Sequence, residues 1–210
     1  MNLKDYQDKE YQKFTSKLCR SKYPILGVRL PTLRLLANQL TLNDFSVFYY
    51  FEDYMLYAFV LGNEKNIDNV FNGLDFIVPT IDNWSICDSL VSSLKITKKY
   101  KEEMLKYILK YQYKSTFEKR FLIVMLLRYY VKDNIERTLE IIHDIETGEY
   151  YVDMAIAWLL SEAMIYHPTT VINYLQKEQN CFIVNKTISK ARESYRISNK
   201  LKEELLKYKK

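Results

Sequence analysis

Apolar residues recur at helical spacing along almost the whole chain. Glycine and proline are scarce, with four of each in 210 residues, which is too few for the many tight turns of a β-sandwich or barrel. Leu, Lys, Glu and Ile supply long stretches that are compatible with helices. The pattern therefore predicts an all-α protein of about a dozen helices that are joined by short links.

Several helix starts are recognisable from their end-capping chemistry. A proline in the first turn costs nothing, because the amide hydrogen that it lacks would have no partner there. A Ser, Thr or Asp followed three residues later by Glu has the spacing of a capping box. We assign such starts to Pro31, to Pro168 directly after the helix junction at His167, and to the pairs Ser115 with Glu118 and Asp133 with Glu136.

A repeat of about 33 residues organises the chain. Four helix starts have this spacing, and each follows a more polar helix, which is the pattern of a helix-pair repeat. The repeats share little sequence identity, as HEAT-type repeats do. We expect a single domain over residues 1–210, a curved α-α superhelix (solenoid) in which one helix of each pair lines the concave side. The four starts lie near Asp82, Thr116, Glu149 and Cys181.

The bulk composition indicates a soluble protein. Apolar residues make up 48% of the chain, enough to bury a core. The N-terminal sequence has no apolar signal region, and no stretch approaches the roughly 18 uncharged apolar residues of a membrane span. We expect a cytoplasmic monomer.

The cysteines and histidines do not indicate a metal site or a disulfide framework. Cys19, Cys87 and Cys181 are odd in number and far apart, and they have no CxxC spacing. His143 and His167 have no partner at ligand spacing. We expect reduced, packed thiols and no metal or other cofactor.

Basic residues concentrate at the C-terminal end. The net charge is +5, and the final 30 residues hold nine Lys or Arg against three Glu. Such a segment either binds phosphate backbones or forms a solvated, lysine-rich helix. Charge alone leaves both interpretations open.

One pair of residues has the spacing of a binding site for a cation. Trp84 and Asp88 are four residues apart, which places an indole and a carboxylate on one face of a helix. The ring face attracts a cation and the carboxylate neutralises it. The alternative is a core tryptophan beside an exposed aspartate. Arg120 and Trp158 stand in the corresponding helices of the next two repeats, so all four side chains are expected on the concave surface.

Four blocks, in this order and spacing, resemble the bacterial HEAT-repeat DNA alkylation-repair proteins, the AlkD-like DNA glycosylases. They extend from about Ile25 to Tyr195, and they read ILGVRLPTLRLLANQL, DNWSICDSL, FEKRFLIVMLLRYY and YYVDMAIAWLLSEAM. The resemblance implies hydrolysis of the N-glycosidic bond of cationic alkylpurines, such as 7-methylguanine and 3-methyladenine, in duplex DNA. It also implies that the lesion is read while it stays in or near the duplex.

By this resemblance, Asp88 stabilises the sugar cation and helps to position water, while Trp84 and Trp158 cradle the nucleotide. Arg120 matches an arginine that contacts the DNA backbone. The chemistry needs no metal. The residues expected to bind DNA are Arg120, Lys119, Lys186, Lys190, Arg192 and Arg196.

The charge around Trp158 departs from the family pattern. Residues 138–176 contain no Lys or Arg, although active family members carry basic residues near this tryptophan. The stretch holds six carboxylates that lack a basic neighbour and so argue against tight duplex binding. A non-catalytic family member that acts as a binding scaffold is therefore an alternative, and a generic HEAT scaffold is a third. The carboxylates belong to Glu140, Asp144, Glu146, Glu149, Asp153 and Glu162.

Overall fold

A computed structural model describes residues 2–210 of the chain. These residues form twelve α-helices with short connections and no β-strand, which confirms the all-α class that the sequence predicts. None of these helices is long and apolar enough to cross a membrane. In chain order, the helices are α1 Lys9–Cys19, α2 Leu30–Ala37, α3 Phe51–Asn63, α4 Ile67–Ile77, α5 Trp84–Ser93, α6 Lys101–Ile108, α7 Thr116–Tyr129, α8 Ile135–His143, α9 Tyr150–Tyr166, α10 Pro168–Lys177, α11 Cys181–Glu193 and α12 Asn199–Leu205.

The helices form two compact units, of which the first ends at Tyr107 and the second begins at Ile108. In the first unit, α3 packs against α2 and α5. In the second, α9 packs against α7, α10 and α11. Helices α3, α7 and α9 bury most of their residues, whereas α4, α8 and α10 bury a single apolar stripe. The single domain expected from the sequence stays a prediction.

The helix starts of α5, α7, α9 and α11 lie within two residues of the predicted ones. A fifth helix belongs to the same series, because α3 begins at Phe51, 33 residues before Trp84. Its N-cap residue is Tyr50, which is not a preferred capping residue. Asp53 fixes the entry to the helix instead, because it accepts hydrogen bonds from the backbone N–H groups of Tyr49 (2.9 Å) and Tyr50 (2.7 Å).

Most of the predicted helix caps are present. Pro31 and Pro168 stand in the first turns of α2 and α10, and the Ser115 backbone N–H donates to the Glu118 carboxylate at 3.1 Å. The predicted start at Asp133 is wrong by one residue. The N–H groups of Asp133 and Asn134 both bond to the Tyr130 carbonyl, so Asp133 belongs to the turn that closes α7, and Asn134 is the N-cap of α8.

Two of the three cysteines are packed as predicted. Cys19 and Cys87 are buried thiols that form no disulfide, and burial raises the pKa of Cys19. The prediction is wrong for Cys181, which is free but exposed. It is the first residue of α11, where its side chain lies 3.9 Å from the Gln179 carbonyl oxygen and is not covered by a neighbouring helix.

Candidate active site and nucleic-acid interface

Helix α5 carries the candidate carboxylate and is held firmly at its N-terminus. The buried Asn83 caps it, and the Asn83 side-chain oxygen accepts from the N–H groups of Ser85 (3.0 Å) and Ile86 (3.1 Å). The preceding residue, Asp82, accepts a hydrogen bond of 2.9 Å from the Ser21 hydroxyl. These bonds fix the position of the first turn, which begins with Trp84.

The predicted pairing of Trp84 with Asp88 on one helix face is present. Helix α5 buries the stripe of Ile86, Cys87, Leu90 and Val91 against its neighbours. Its opposite stripe stays partly exposed, and that stripe consists of Trp84, Ser85, Asp88, Ser89 and Ser92. The indole and the carboxylate are therefore both partly exposed on the same face of the first unit.

A cavity of about 340 Å³ adjoins this stripe, and we refer to it as the Asp88 cavity. Its second wall is α1, which contributes Tyr11, Phe14 and Leu18. The Trp84 indole N–H donates to the Leu18 carbonyl at 3.4 Å, so the ring edge is bonded to this wall. Phe14 keeps 60% of its surface exposed, which leaves an aromatic face free beside the carboxylate.

The contribution of α1 to the site was missed by the sequence reasoning. A signal was present, because Tyr11, Phe14 and Leu18 recur at positions i, i+3 and i+7 of an otherwise polar N-terminal segment. Such a stripe is usual for a helix that packs on a core. Here Phe14 and Leu18 are exposed large apolar side chains.

A buried carboxylate anchors a third wall of the cavity. Glu52 on α3 accepts hydrogen bonds from the backbone N–H groups of Leu26 (2.9 Å), Gly27 (2.7 Å) and Val28 (3.2 Å). Burial raises the pKa of Glu52 above its usual value, against the lowering effect of these bonds. Gly27 has a φ of +87°, and a Cβ there would lie 2.4 Å from the Asp8 carbonyl oxygen, so this close approach requires glycine. The Val28 wall is thereby tied to α3.

Trp158 lies in the second unit, on the open stripe of α9. It is partly exposed, as are Met154 and Glu162 one turn before and after it. The residues between these positions, such as Leu159 and Leu160, are fully buried. The indole of Trp158 thus belongs to the accessible part of its helix.

The side chains of Lys119 and Arg120 are buried within the second unit. The Lys119 side chain is only 5% exposed, and its Nζ lies 3.2 Å from a Glu146 carboxylate oxygen and 3.7 Å from one of Glu149. Arg120 is 6% exposed, and its guanidinium donates to the Tyr151 carbonyl at 3.1 Å. Both cations therefore bind groups at the start of α9 or in the segment that leads into it.

The six carboxylates around Trp158 are less isolated than their sequence positions indicate. Glu140 pairs with Arg137 at 3.0 Å, and Glu162 pairs with Arg196. Asp153 is buried and accepts from the Gly148 N–H (2.9 Å) and the Asn180 side-chain amide (3.0 Å). With Glu146 and Glu149 bound to Lys119, five of the six have partners. The expectation of uncompensated acidic residues is therefore wrong for the four that pair with Lys or Arg, whereas Asp153 is bonded only to neutral groups.

The C-terminal residues expected to bind DNA differ in whether they make an ion pair. The Glu162 carboxylate binds Arg196 and raises the pKa of that guanidinium above its usual value. Arg192 lies 3.9 Å from the Glu203 carboxylate. Lys186 is exposed, with its Nζ 5.8 Å from the centre of the Phe182 ring, and Lys190 is partly exposed. Of the four C-terminal residues expected to bind DNA, Lys186 and Lys190 make no ion pair within residues 2–210.

Within residues 2–210, no group of three or more His, Cys, Asp and Glu side chains is arranged to hold a metal ion.

Comparison with known proteins bears directly on the site. No curated protein matches the chain at a significant level. A family model described as DNA alkylation repair enzyme matches residues 1–195, a range that contains Trp84, Asp88, Arg120 and Trp158. Because this match covers most of its length, the chain belongs to the DNA alkylation repair enzyme family.

Proposed function

We propose that the protein is a DNA glycosylase that hydrolyses the N-glycosidic bond of cationic alkylpurines, such as 7-methylguanine and 3-methyladenine, in duplex DNA. The observation that carries the proposal is the joint exposure of Trp84 and Asp88 on one face of α5, beside the Asp88 cavity. The family assignment gives the DNA repair role, and the geometry of this face supports the specific reaction.

A carboxylate can promote this reaction without a metal ion. Alkylation at N3 of adenine or N7 of guanine makes the base a cation, so the base leaves as a neutral molecule with the electron pair of the broken C1′–N bond. Positive charge then develops on the deoxyribose. Asp88 stabilises this oxocarbenium character and orients the water whose oxygen bonds to C1′ and whose proton is released.

The aromatic side chains near the carboxylate favour a cationic nucleotide. Trp84 offers its ring face to the positive charge, while its N–H is held by the Leu18 carbonyl. In the proposal, Trp158 makes the corresponding contact from α9. The exposed ring of Phe14 adds an apolar surface at the edge of the Asp88 cavity.

The proposed DNA contacts differ in kind. Lys186 and Lys190, which have no ion-pair partners in the described part of the chain, contact backbone phosphates directly, together with Arg192. Arg196 joins them when a phosphate competes with Glu162. Lys119 and Arg120 act indirectly, because their bonds to Glu149 and to the Tyr151 carbonyl hold the start of the helix that carries Trp158.

The test is a single-turnover assay of base release from N-methylated duplex DNA at enzyme excess. Asp88→Asn should reduce the release of 7-methylguanine or 3-methyladenine by about 100-fold or more, because the asparagine removes the charge that stabilises the transition state. Asp68→Asn is the matched control, since Asp68 is an exposed first-turn carboxylate of α4 that does not line the Asp88 cavity. Wild-type protein that releases neither base, or an Asp88→Asn variant with the control's rate, would overturn the proposal.

A second candidate is a non-catalytic family member that serves as a HEAT-repeat binding scaffold. The pairing of Lys119 with Glu146 and of Arg196 with Glu162 favours it, because both pairs reduce the positive charge that faces DNA. The same assay separates the two candidates. The scaffold predicts no base release and weak or absent binding of plain duplex.

A further inference from the structure

A second cavity in the first unit has a strongly basic rim. It is the larger of the two described in this unit, at about 520 Å³, and Ser92 lines both it and the Asp88 cavity. Four exposed cationic side chains surround it, and we call this feature the basic cleft. They are Arg34, Lys65, Lys95 and Lys99.

The four cations have no carboxylate partners within residues 2–210, and the cleft contains a single acidic residue, Glu64. The Glu64 carboxylate accepts hydrogen bonds from the backbone N–H groups of Asn66 (2.9 Å) and Lys65 (2.7 Å), and these bonds lower its pKa. Glu64 is therefore bound to the backbone and does not pair with the cationic rim.

The ends of α2, α3 and α5 also meet at the basic cleft. Each helix C-terminus contributes about half a negative charge, so the three together contribute roughly one and a half. The four side chains carry four positive charges, whereas the helix ends and Glu64 together carry about two and a half negative charges. The cleft therefore has a net positive charge. Neutralising the helix ends would not by itself require all four cations.

The floor of the cleft is closely packed. Gly62 on α3 meets Ser93 on α5 so closely that a Cβ added at Gly62 would lie 2.5 Å from the Ser93 Cβ and 2.8 Å from its carbonyl oxygen. On the rim, the Arg34 guanidinium lies 4.5 Å from the centre of the Phe59 ring. This contact restricts the conformations of the arginine side chain, so the side chain loses less conformational entropy when an anion binds.

We propose that the basic cleft binds a phosphate group of the DNA backbone, next to the nucleotide at Asp88. The inference rests on the proposed function, since it assumes that the DNA strand passes Asp88. Ser92 is four residues beyond Asp88 on α5, or about 6 Å along the helix axis. Nucleotides of one strand follow one another every 3.4 Å or so along the axis of the duplex. With the duplex axis running along α5, as this proposal requires, the cleft lies one or two nucleotides from the site of excision.

The experiment measures equilibrium binding of an unmodified, fluorescently labelled duplex over a range of salt concentrations. A variant with Lys95→Ala and Lys99→Ala should bind about tenfold more weakly near 0.1 M salt. The slope of log K against log salt should fall by about 1.8, the contribution of two phosphate contacts. A variant with Lys95→Arg and Lys99→Arg should bind as wild type, because the charges are retained.

The matched control is Lys98→Ala with Lys106→Ala, which removes two exposed lysines of the same unit that do not line the cleft. Equal binding by the alanine variants of the cleft and of the control overturns the proposal, as does wild-type protein that does not bind duplex. Failure of the glycosylase proposal is a different result: binding then depends on the cleft lysines, but no base is released from methylated DNA.

Discussion

The two units use their positive charges differently. In the first, Arg34, Lys95 and Lys99 are exposed around a cleft and have no carboxylate partners within residues 2–210. In the second, Lys119 and Arg120 are buried and bound to groups on or just before α9. The difference shows that the partners of the cations, and not their number alone, decide how much unpaired positive charge each unit presents at its surface.

The largest expected contrast between the units is in stability. Arg120→Ala should lower the free energy of unfolding by about 3 kcal/mol, because a part-buried carbonyl loses a charged donor and a buried side chain is deleted. Arg34→Ala, its counterpart in the first unit, should change it by no more than about 0.5 kcal/mol. Urea unfolding of both variants measures the two values. Similar losses would show that Arg120 is no more structural than Arg34.

A smaller effect is expected at Lys119. Lys119→Met keeps the buried stem and removes the charge, and the exposed Glu146 can be solvated in its place. The free energy of unfolding should therefore fall by about 1 kcal/mol or less. Duplex affinity, measured by anisotropy, should stay within about twofold of wild type, in contrast to the effect of the cleft lysines. A large loss of affinity would mean that Lys119 leaves its carboxylates to contact DNA.

The smallest effect is expected at Glu162. Glu162→Gln removes the partner of Arg196 and one negative charge beside Trp158, so duplex binding should strengthen by about threefold at low salt. The gain should shrink as salt is added. Glu140→Gln, which releases Arg137 on α8, serves as the control for loss of one negative charge. Equal gains in both variants would indicate general electrostatics rather than release of Arg196.

Sequence reasoning predicts best what helix geometry determines locally. The starts of α5, α7, α9 and α11 follow from apolar spacing and capping residues, and the shared face of Trp84 and Asp88 follows from a separation of four residues. The start of α3 was not found, because Tyr50 is not a recognisable cap and Asp53 replaces it from within the helix.

The partners of the cations could not be predicted, because they come from other repeats. Lys119 binds Glu146, which is 27 residues away, and Glu162 binds Arg196, which is 34 residues away. A stretch without Lys or Arg therefore appears isolated in the sequence, although basic residues before and after it pair with four of its six carboxylates in the fold. The basic cleft has the same origin, since Arg34, Lys65 and Lys95 come from three separate connections and helix ends.

The contact of Gly62 with Ser93 has a consequence for how this protein can vary in evolution. Any other residue at position 62 would push α3 away from the backbone of α5 and so deform the floor of the basic cleft. The lysines of the rim are exposed and can be exchanged for one another or lost one at a time. Mutation can thus adjust the strength with which the cleft attracts an anion, while its position beside Asp88 is inherited unchanged.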